Sequence, residues 1–167
     1  MAQPAASPVA WKPPQYHSLT PYLAVRGAPL AIEFYKKAFG AEELFRMAAP
    51  DGAVMHAELR IGDSVVMLGE ESPEMGAPSP ATLGGSPAGL LLYVEHCDQA
   101  FARALQAGAS AVQPPADMFW GDRYGTVKDP FGHRWSIATH VKEVPPEEMA
   151  RAQEAWMKEN MAAGKKS

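Results

Sequence analysis

The sequence has a single cysteine, Cys97, in 167 residues. No intrachain disulfide can form, and nothing calls for an oxidising compartment. Long apolar runs are also missing: LLLYV at 90–94 is far too short to span a bilayer. The first residues, MAQPAASPVAWKPP, lack a basic region followed by an apolar stretch, so no secretory signal is read there. These absences predict a cytoplasmic protein with no membrane partner. Positive charge is in short supply as well. The net charge is −4 and the lysines and arginines are scattered, which argues against a nucleic-acid surface. The GxxxxGK[ST] phosphate loop, GxGxxG after a strand, the GxSxG elbow and CxxC are all absent.

What is present fits one globular domain with a real core. Hydrophobic residues make up 47% of the chain and charged residues 20%. Residues 1–16, rich in Pro and Ala and without a period, predict a flexible or loosely docked arm. HSLTPYLAV (17–25) reads as a strand. Pro29 suits the first turn of a helix and Gly40 its stop, with Ile32, Tyr35 and Phe39 at helical spacing between them. Three extended segments follow, at 41–49, 53–61 and 64–70. Asp51-Gly52 and Gly62-Asp63 mark the turns between them. The unit is βαβββ.

Residues 71–87, ESPEMGAPSPATLGGSP, read as a loop. The same order then returns: a strand at 88–96, a helix capped by Asp98 and stopped by Gly108, a short strand at 110–115 ended by proline, and strands at 119–129 and 133–141 around a Pro-Phe-Gly turn. Gly40 and Gly108 lie 68 residues apart, and Gly62 and Gly132 lie 70 apart, as a duplicated unit requires. The tail predicts a final helix from about Pro146, with Glu147 and Glu148 in its first turn and Met149, Ala152 and Trp156 on one face.

Two such modules, with AIEFYKKAFGAEE in the first helix and WGDRYGTVKDPFGHRW in the last hairpin, resemble the vicinal-oxygen-chelate superfamily, and within it the PhnB-like, glyoxalase/bleomycin-resistance-like branch. The resemblance covers about residues 17–141, as module one (17–70), the loop 71–87 and module two (88–141). It implies an α+β fold in which two tandem βαβββ modules form a curved eight-stranded sheet around a cavity, here with a C-terminal helix added over 142–167. It also implies a homodimer, since paired modules in this superfamily often assemble across chains. Its enzymes hold a divalent metal with His, Gln or Glu from up to four strands. Thr20, Met67, Gly89 and Ser136 stand at those places here. A thioether is soft, glycine has no side chain, and neutral hydroxyls bind weakly beside imidazole and carboxylate. No cofactor is predicted, and a divalent metal is disfavoured.

Strand alternation sketches the pocket. Thr20, Tyr22 and Ala24 face it from the first strand, Val65 and Met67 from the fourth, Gly89, Leu91 and Tyr93 from the fifth, and Arg134, Ser136 and Ala138 from the eighth. On 53–61, Met55, Ala57, Leu59 and Ile61 form an apolar face, and Val54, His56, Glu58 and Arg60 a mixed one. His56 and Glu58 are the weak catalytic candidates. At i and i+2 they point the same way, and a carboxylate beside an imidazole prepares a general base. They would equally serve as a polar pair in a rim or dimer contact, or as the start of a displaced metal site with His17, His133 or His140. Tyr93, Trp120 and Tyr124 offer aromatic surface with polar tips for a flat ligand, or ordinary packing. Asp122 and Arg123 read as an ion pair, Asp129 as a turn carboxylate that accepts backbone N–H groups, His133 as structural and Cys97 as a small core residue. The nine methionines serve as gap-fillers or give the pocket adaptability.

The expectation is a small-molecule binder that takes a planar or aromatic ligand in an apolar cavity, through Thr20, Tyr22, His56, Glu58, Met67, Leu91, Tyr93, Trp120, Tyr124 and Ser136. The alternative is a glyoxalase-like lyase or dioxygenase with a metal displaced to His56 and Glu58. A third is an interaction module whose cavity is collapsed and whose last helix docks on a partner.

Overall fold

A computed structural model describes residues 9–163, with side chains through Asn160. Residues 1–8 of the expected arm and the last four of the tail lie outside the described residues. The strands form two sheets of four, with no closed barrel. The first contains β1 (Tyr22–Val25), β2 (Glu42–Ala48), β3 (Val54–Ile61) and β4 (Ser64–Glu70) in the order β1-β4-β3-β2. The second contains β5 (Gly89–Tyr93), β6 (Ser110–Asp117), β7 (Asp122–Lys128) and β8 (Arg134–His140) in the order β5-β8-β7-β6. In each sheet the first strand pairs in parallel with the fourth, Tyr22 opposite Met67 and Leu91 opposite Ser136. The other pairings are antiparallel. The repeat read from glycine spacing is therefore a repeat of topology.

The helices α1 (Ala28–Phe39) and α3 (Cys97–Ala107) pack against each other and against one face of each sheet. Between them lies the core, with Ile32, Tyr35, Phe39, Leu59, Leu68, Phe101, Trp135 and Ile137 all buried. Phe39 and Trp135 bring ring centroids within 4.7 Å across the module boundary. Arg103 Nε donates to the Ala38 carbonyl at 2.8 Å. Asp129, buried in the turn before β8, accepts from the Phe131 and His133 backbone N–H groups, both at 2.9 Å, as its turn role predicts. It also accepts from Tyr35 and from the Trp135 indole.

Several local expectations need correction. The first strand begins at Tyr22: Pro21 has no N–H to give, although its carbonyl accepts from the Met67 N–H at 2.9 Å, and the bend before it keeps residues 17–20 off the ladder. Thr20 therefore precedes β1, with its hydroxyl turned back to the His17 carbonyl. The alternation of β3 breaks at Met55. Met47 is opposite His56 but Ala48 is opposite Val54, so Met55 is the extra residue of a β-bulge. Val54 joins Ala57, Leu59 and Ile61 in the core, and Met55 is exposed. Val65 is buried, at the wall of the cavity between the modules.

The loop 71–87 is not wholly irregular. It holds a 3₁₀ turn at Pro73–Met75 and the short helix α2 (Pro80–Leu83). Glu71 accepts from the Ser79 N–H, the Thr82 hydroxyl and Arg26, which ties the segment to β1. β6 continues through Pro114 and Pro115 to Asp117, which is possible because it is an edge strand. Asp98 does not cap α3. His96 stands at the cap position and Asp98 lies in the first turn. The final helix, α4 (Pro146–Ala163), begins at Pro146 as read. No helix among the described residues is long and apolar enough to cross a membrane.

Candidate functional site

Each sheet buries one face under helices and leaves the other open. On the open face of sheet one, Tyr22 is 55% exposed, and Phe45 and Met47 are about half exposed. The Tyr22 hydroxyl lies 3.2 Å from His56 Nδ1, and His56 Nε2 lies 3.3 Å from Glu58 Oε1. Tyr16, from the segment before β1, donates to the same Glu58 oxygen at 2.7 Å. That carboxylate raises the Tyr16 hydroxyl above its ordinary value. The relay Tyr22–His56–Glu58–Tyr16 thus crosses the sheet, with Met67 opposite both Tyr22 and Glu58 in the ladder. Gly69 makes room for it. A Cβ there would sit 3.0 Å from the Tyr22 hydroxyl oxygen and 2.6 Å from the Met55 carbonyl oxygen.

On sheet two the open face is organised around Asp122. This carboxylate is only 4% exposed. It accepts from the Tyr93 hydroxyl at 2.9 Å, the Trp120 indole N–H at 3.1 Å and His140 Nδ1 at 2.8 Å. Burial pushes its carboxyl up, but these three hydrogen bonds outweigh burial and hold it below the usual range. In turn Asp122 raises His140. Burial opposes that rise, and Glu143, 3.3 Å from Nε2, adds to it. Asp122 likewise raises the Tyr93 hydroxyl. Further along the face the Tyr124 hydroxyl bonds the Ser136 hydroxyl, with Thr126 beside them. Gly121 positions this cluster. Its φ is +100°, and a Cβ on it would lie 2.0 Å from the Lys142 carbonyl oxygen.

The ten expected ligand residues are not gathered in one pocket. Tyr22, His56, Glu58 and Met67 share the open face of sheet one, with Thr20 just before it. Leu91 and Tyr93 line a cavity of about 430 Å³ at the module junction, together with Leu19, Val65 and Trp135. Trp120 and Tyr124 line a second cleft of about 630 Å³ under α4. Ser136 links to that cleft through Tyr124.

The expected Asp122–Arg123 pair does not form. Neighbours on a strand point to opposite faces, and Arg123 turns to Asp98 and Asp117 at 2.7 and 3.2 Å. The same alternation, applied to β7 and β8, would have placed Asp122 opposite His140 from sequence. Nothing in sequence flagged Tyr16 or Phe119, whose partners are remote. Cys97 is buried, donates to the Ile137 carbonyl at 3.2 Å, and is raised chiefly by burial, as suits a core thiol.

The side chains at the four positions that the resemblance marks do not form a metal-binding set. Met67 and Ser136 lie on the two open faces, Gly89 has no side chain, and Thr20 is off the strand. His133 is buried against the Ala24 carbonyl at 3.2 Å, and His140 is held by Asp122, so neither joins His56 and Glu58. Among the described residues, no three His, Cys, Asp or Glu side chains converge closely enough to hold a metal ion.

Comparison with known proteins agrees with this architecture. The profile of the Glyoxalase/Bleomycin resistance protein/Dioxygenase superfamily matches residues 16–137. An uncharacterised protein of Mycobacterium tuberculosis is 49% identical over 138 residues, covering 81% of each chain. Protein YjdN of Escherichia coli is 27% identical over 150 residues, covering 76% of this chain and 97% of its own. The crystal structure of TioX from Micromonospora sp. ML1 aligns with a TM-score of 0.59 at 30% identity, covering 74% of this chain and 98% of that one. An Arabidopsis thaliana gene product aligns with a TM-score of 0.61 at 30% identity over the same shares. On its sequence, its module topology and these relatives, the chain belongs to the glyoxalase/bleomycin resistance/dioxygenase superfamily.

Proposed function

We propose that this protein binds a small, planar or aromatic organic molecule on the open faces of its sheets, without the metal usual in superfamily enzymes. The observation that carries this reading is the state of the aromatic residues. Tyr22 and Tyr93 are 55% and 57% exposed on the strand faces turned away from α1 and α3, while their hydroxyls are tied to His56 and Asp122. Rings fixed at their polar ends and bare along their carbon surface suit stacking against a flat ligand. The absence of a His or carboxylate at Thr20, Met67, Gly89 and Ser136 supports a metal-free site. The reading includes a homodimer, as the superfamily resemblance implies, acting in the cytoplasm. Placement in the PhnB-like branch rests on FYKKAFGAEE and DPFGHRW.

The test is a thermal-shift screen of the full chain against planar metabolites and antibiotics, with sedimentation equilibrium for the assembly. At least one clear stabilisation is expected. A flat response across a broad library sinks the reading. One observation favours a second reading: the 3.3 Å contact of His56 with Glu58 would start a displaced metal site for a lyase or dioxygenase. About one tightly held transition metal per chain, lost in His56→Ala, would establish that alternative.

A further inference from the structure

Beside Trp120 the C-terminal helix builds a wall from residues beyond those that the superfamily profile matches. The family match ends at residue 137, and α4 begins at Pro146. The Trp156 ring of α4 lies 6.0 Å from Phe119. Phe119 meets Trp120 edge-on at 5.1 Å, and Trp120 meets Tyr124 edge-on at 5.7 Å. These four rings, with Gln113, Met118 and Asn160, line the cleft of about 630 Å³. That volume lies within the range of pockets for drug-sized ligands.

The polar ends of two rings are already engaged. The Trp120 N–H is held by Asp122 and the Tyr124 hydroxyl by Ser136, so carbon surface is what they offer the cleft. Trp156 is 45% exposed, and the two amides, Gln113 and Asn160, supply donors and acceptors at the rim. None of the lining side chains carries a charge.

We infer that this cleft is the binding site for an uncharged, flat heteroaromatic molecule, and that Trp156 is the stacking wall that determines its specificity. The inference rests on the small-molecule reading above and locates it in module two. It assigns α4 a role in ligand selection in place of a purely structural one. Flat ligands are favoured because edge-on and tilted rings leave slots that a plane fills. Asn160 Nδ2 already donates to the Trp156 carbonyl at 2.8 Å, so its oxygen and the Gln113 amide are what a ring heteroatom would pair with, which favours a heteroaromatic ligand over an all-carbon plane.

Lumichrome is a suitable probe. It has three fused rings, no net charge at neutral pH and an imide edge. Its binding to the full chain can be titrated by fluorescence anisotropy. Saturable binding is expected, weakened about tenfold or more in Trp156→Ala and much less in Trp156→Phe, the scale of losing one stacking ring. Trp11→Ala, at an exposed position on the N-terminal segment, should bind as the parent does. Equal binding by the parent and Trp156→Ala overturns the inference while leaving the small-molecule reading intact. No saturable lumichrome binding by the parent also overturns it, and the broad thermal-shift screen then decides the wider reading separately. A change in the monomer–dimer balance of Trp156→Ala, with probe affinity unchanged, would make the cleft a contact between copies and overturn it as well. The circular-dichroism melt of each variant confirms that it is folded.

Discussion

The hydroxyl of Tyr35, in the helix of module one, donates to the Asp129 carboxylate of module two at 2.7 Å, and both residues are buried. Burial raises the Tyr35 hydroxyl well above its ordinary value, and Asp129 adds to the rise, so it stays a proton donor at any ordinary pH. Tyr35→Phe leaves one Asp129 oxygen with only the Trp135 indole. The expected loss is about 1–3 kcal/mol of folding stability, read from the urea midpoint. Tyr16→Phe, which removes an accessible hydrogen bond to Glu58, should cost clearly less.

The Asp122–His140 pair makes stability depend on pH. Its folded-state imidazole is raised above the ordinary histidine value, so the protonated form binds its proton more tightly in the native protein. That contribution is fully present below the unfolded-state value, about 6.5, and fades as pH rises through the raised native one. Asp122→Asn should bring the His140 titration, followed by NMR of the ring protons, back toward the ordinary value. An unchanged titration would show that Asp122 does not hold the imidazole.

Gly121→Ala tests how the Trp120–Asp122 segment is held. The residue has a φ of +100°, and its carbonyl accepts from the Val141 and Lys142 N–H groups. An added methyl both strains the backbone and collides with the Lys142 carbonyl. A loss of at least about 2 kcal/mol is expected in chemical denaturation.

The bulge in β3 can be checked by neighbouring substitutions. Val54→Ala opens a void in the core and should cost about 2 kcal/mol. Met55→Ala acts on an exposed side chain and should fall within about 0.5 kcal/mol of the parent. A regular strand would reverse this order.

Chelation tests the metal-free reading. EDTA dialysis should leave both the thermal midpoint and lumichrome affinity unchanged. A fall in either, restored by added transition metal, would count against a metal-free site.

Much of this architecture is legible in the sequence because it depends on local physics. Gly40 and Gly108 stop helices, Asp129-Pro130-Phe131-Gly132 closes a hairpin, and Pro146 opens α4, each through its own backbone preference. Met55 escaped notice because a bulge changes strand phase without a residue signature. Pro114 and Pro115 looked like an end to β6 because edge position is a property of the sheet. Asp122 was misassigned through its neighbour Arg123, although its partners Tyr93 and His140 lie 29 and 18 positions away. The aromatic cleft needed α4 folded back onto Phe119, a long-range contact that no periodicity encodes.

Those two prolines also shape the free edge of sheet two. Of two adjacent residues on a strand, one turns its amide toward the neighbouring strand and the other turns it outward. With Pro114 and Pro115, both lack a hydrogen to give. The inward loss accounts for the ladder slipping from Gln113 to Ala116. The outward loss denies an incoming strand one rung at the rim of sheet two, a built-in guard against runaway strand addition there. Strand addition at that rim is thereby disfavoured, whatever face a partner uses.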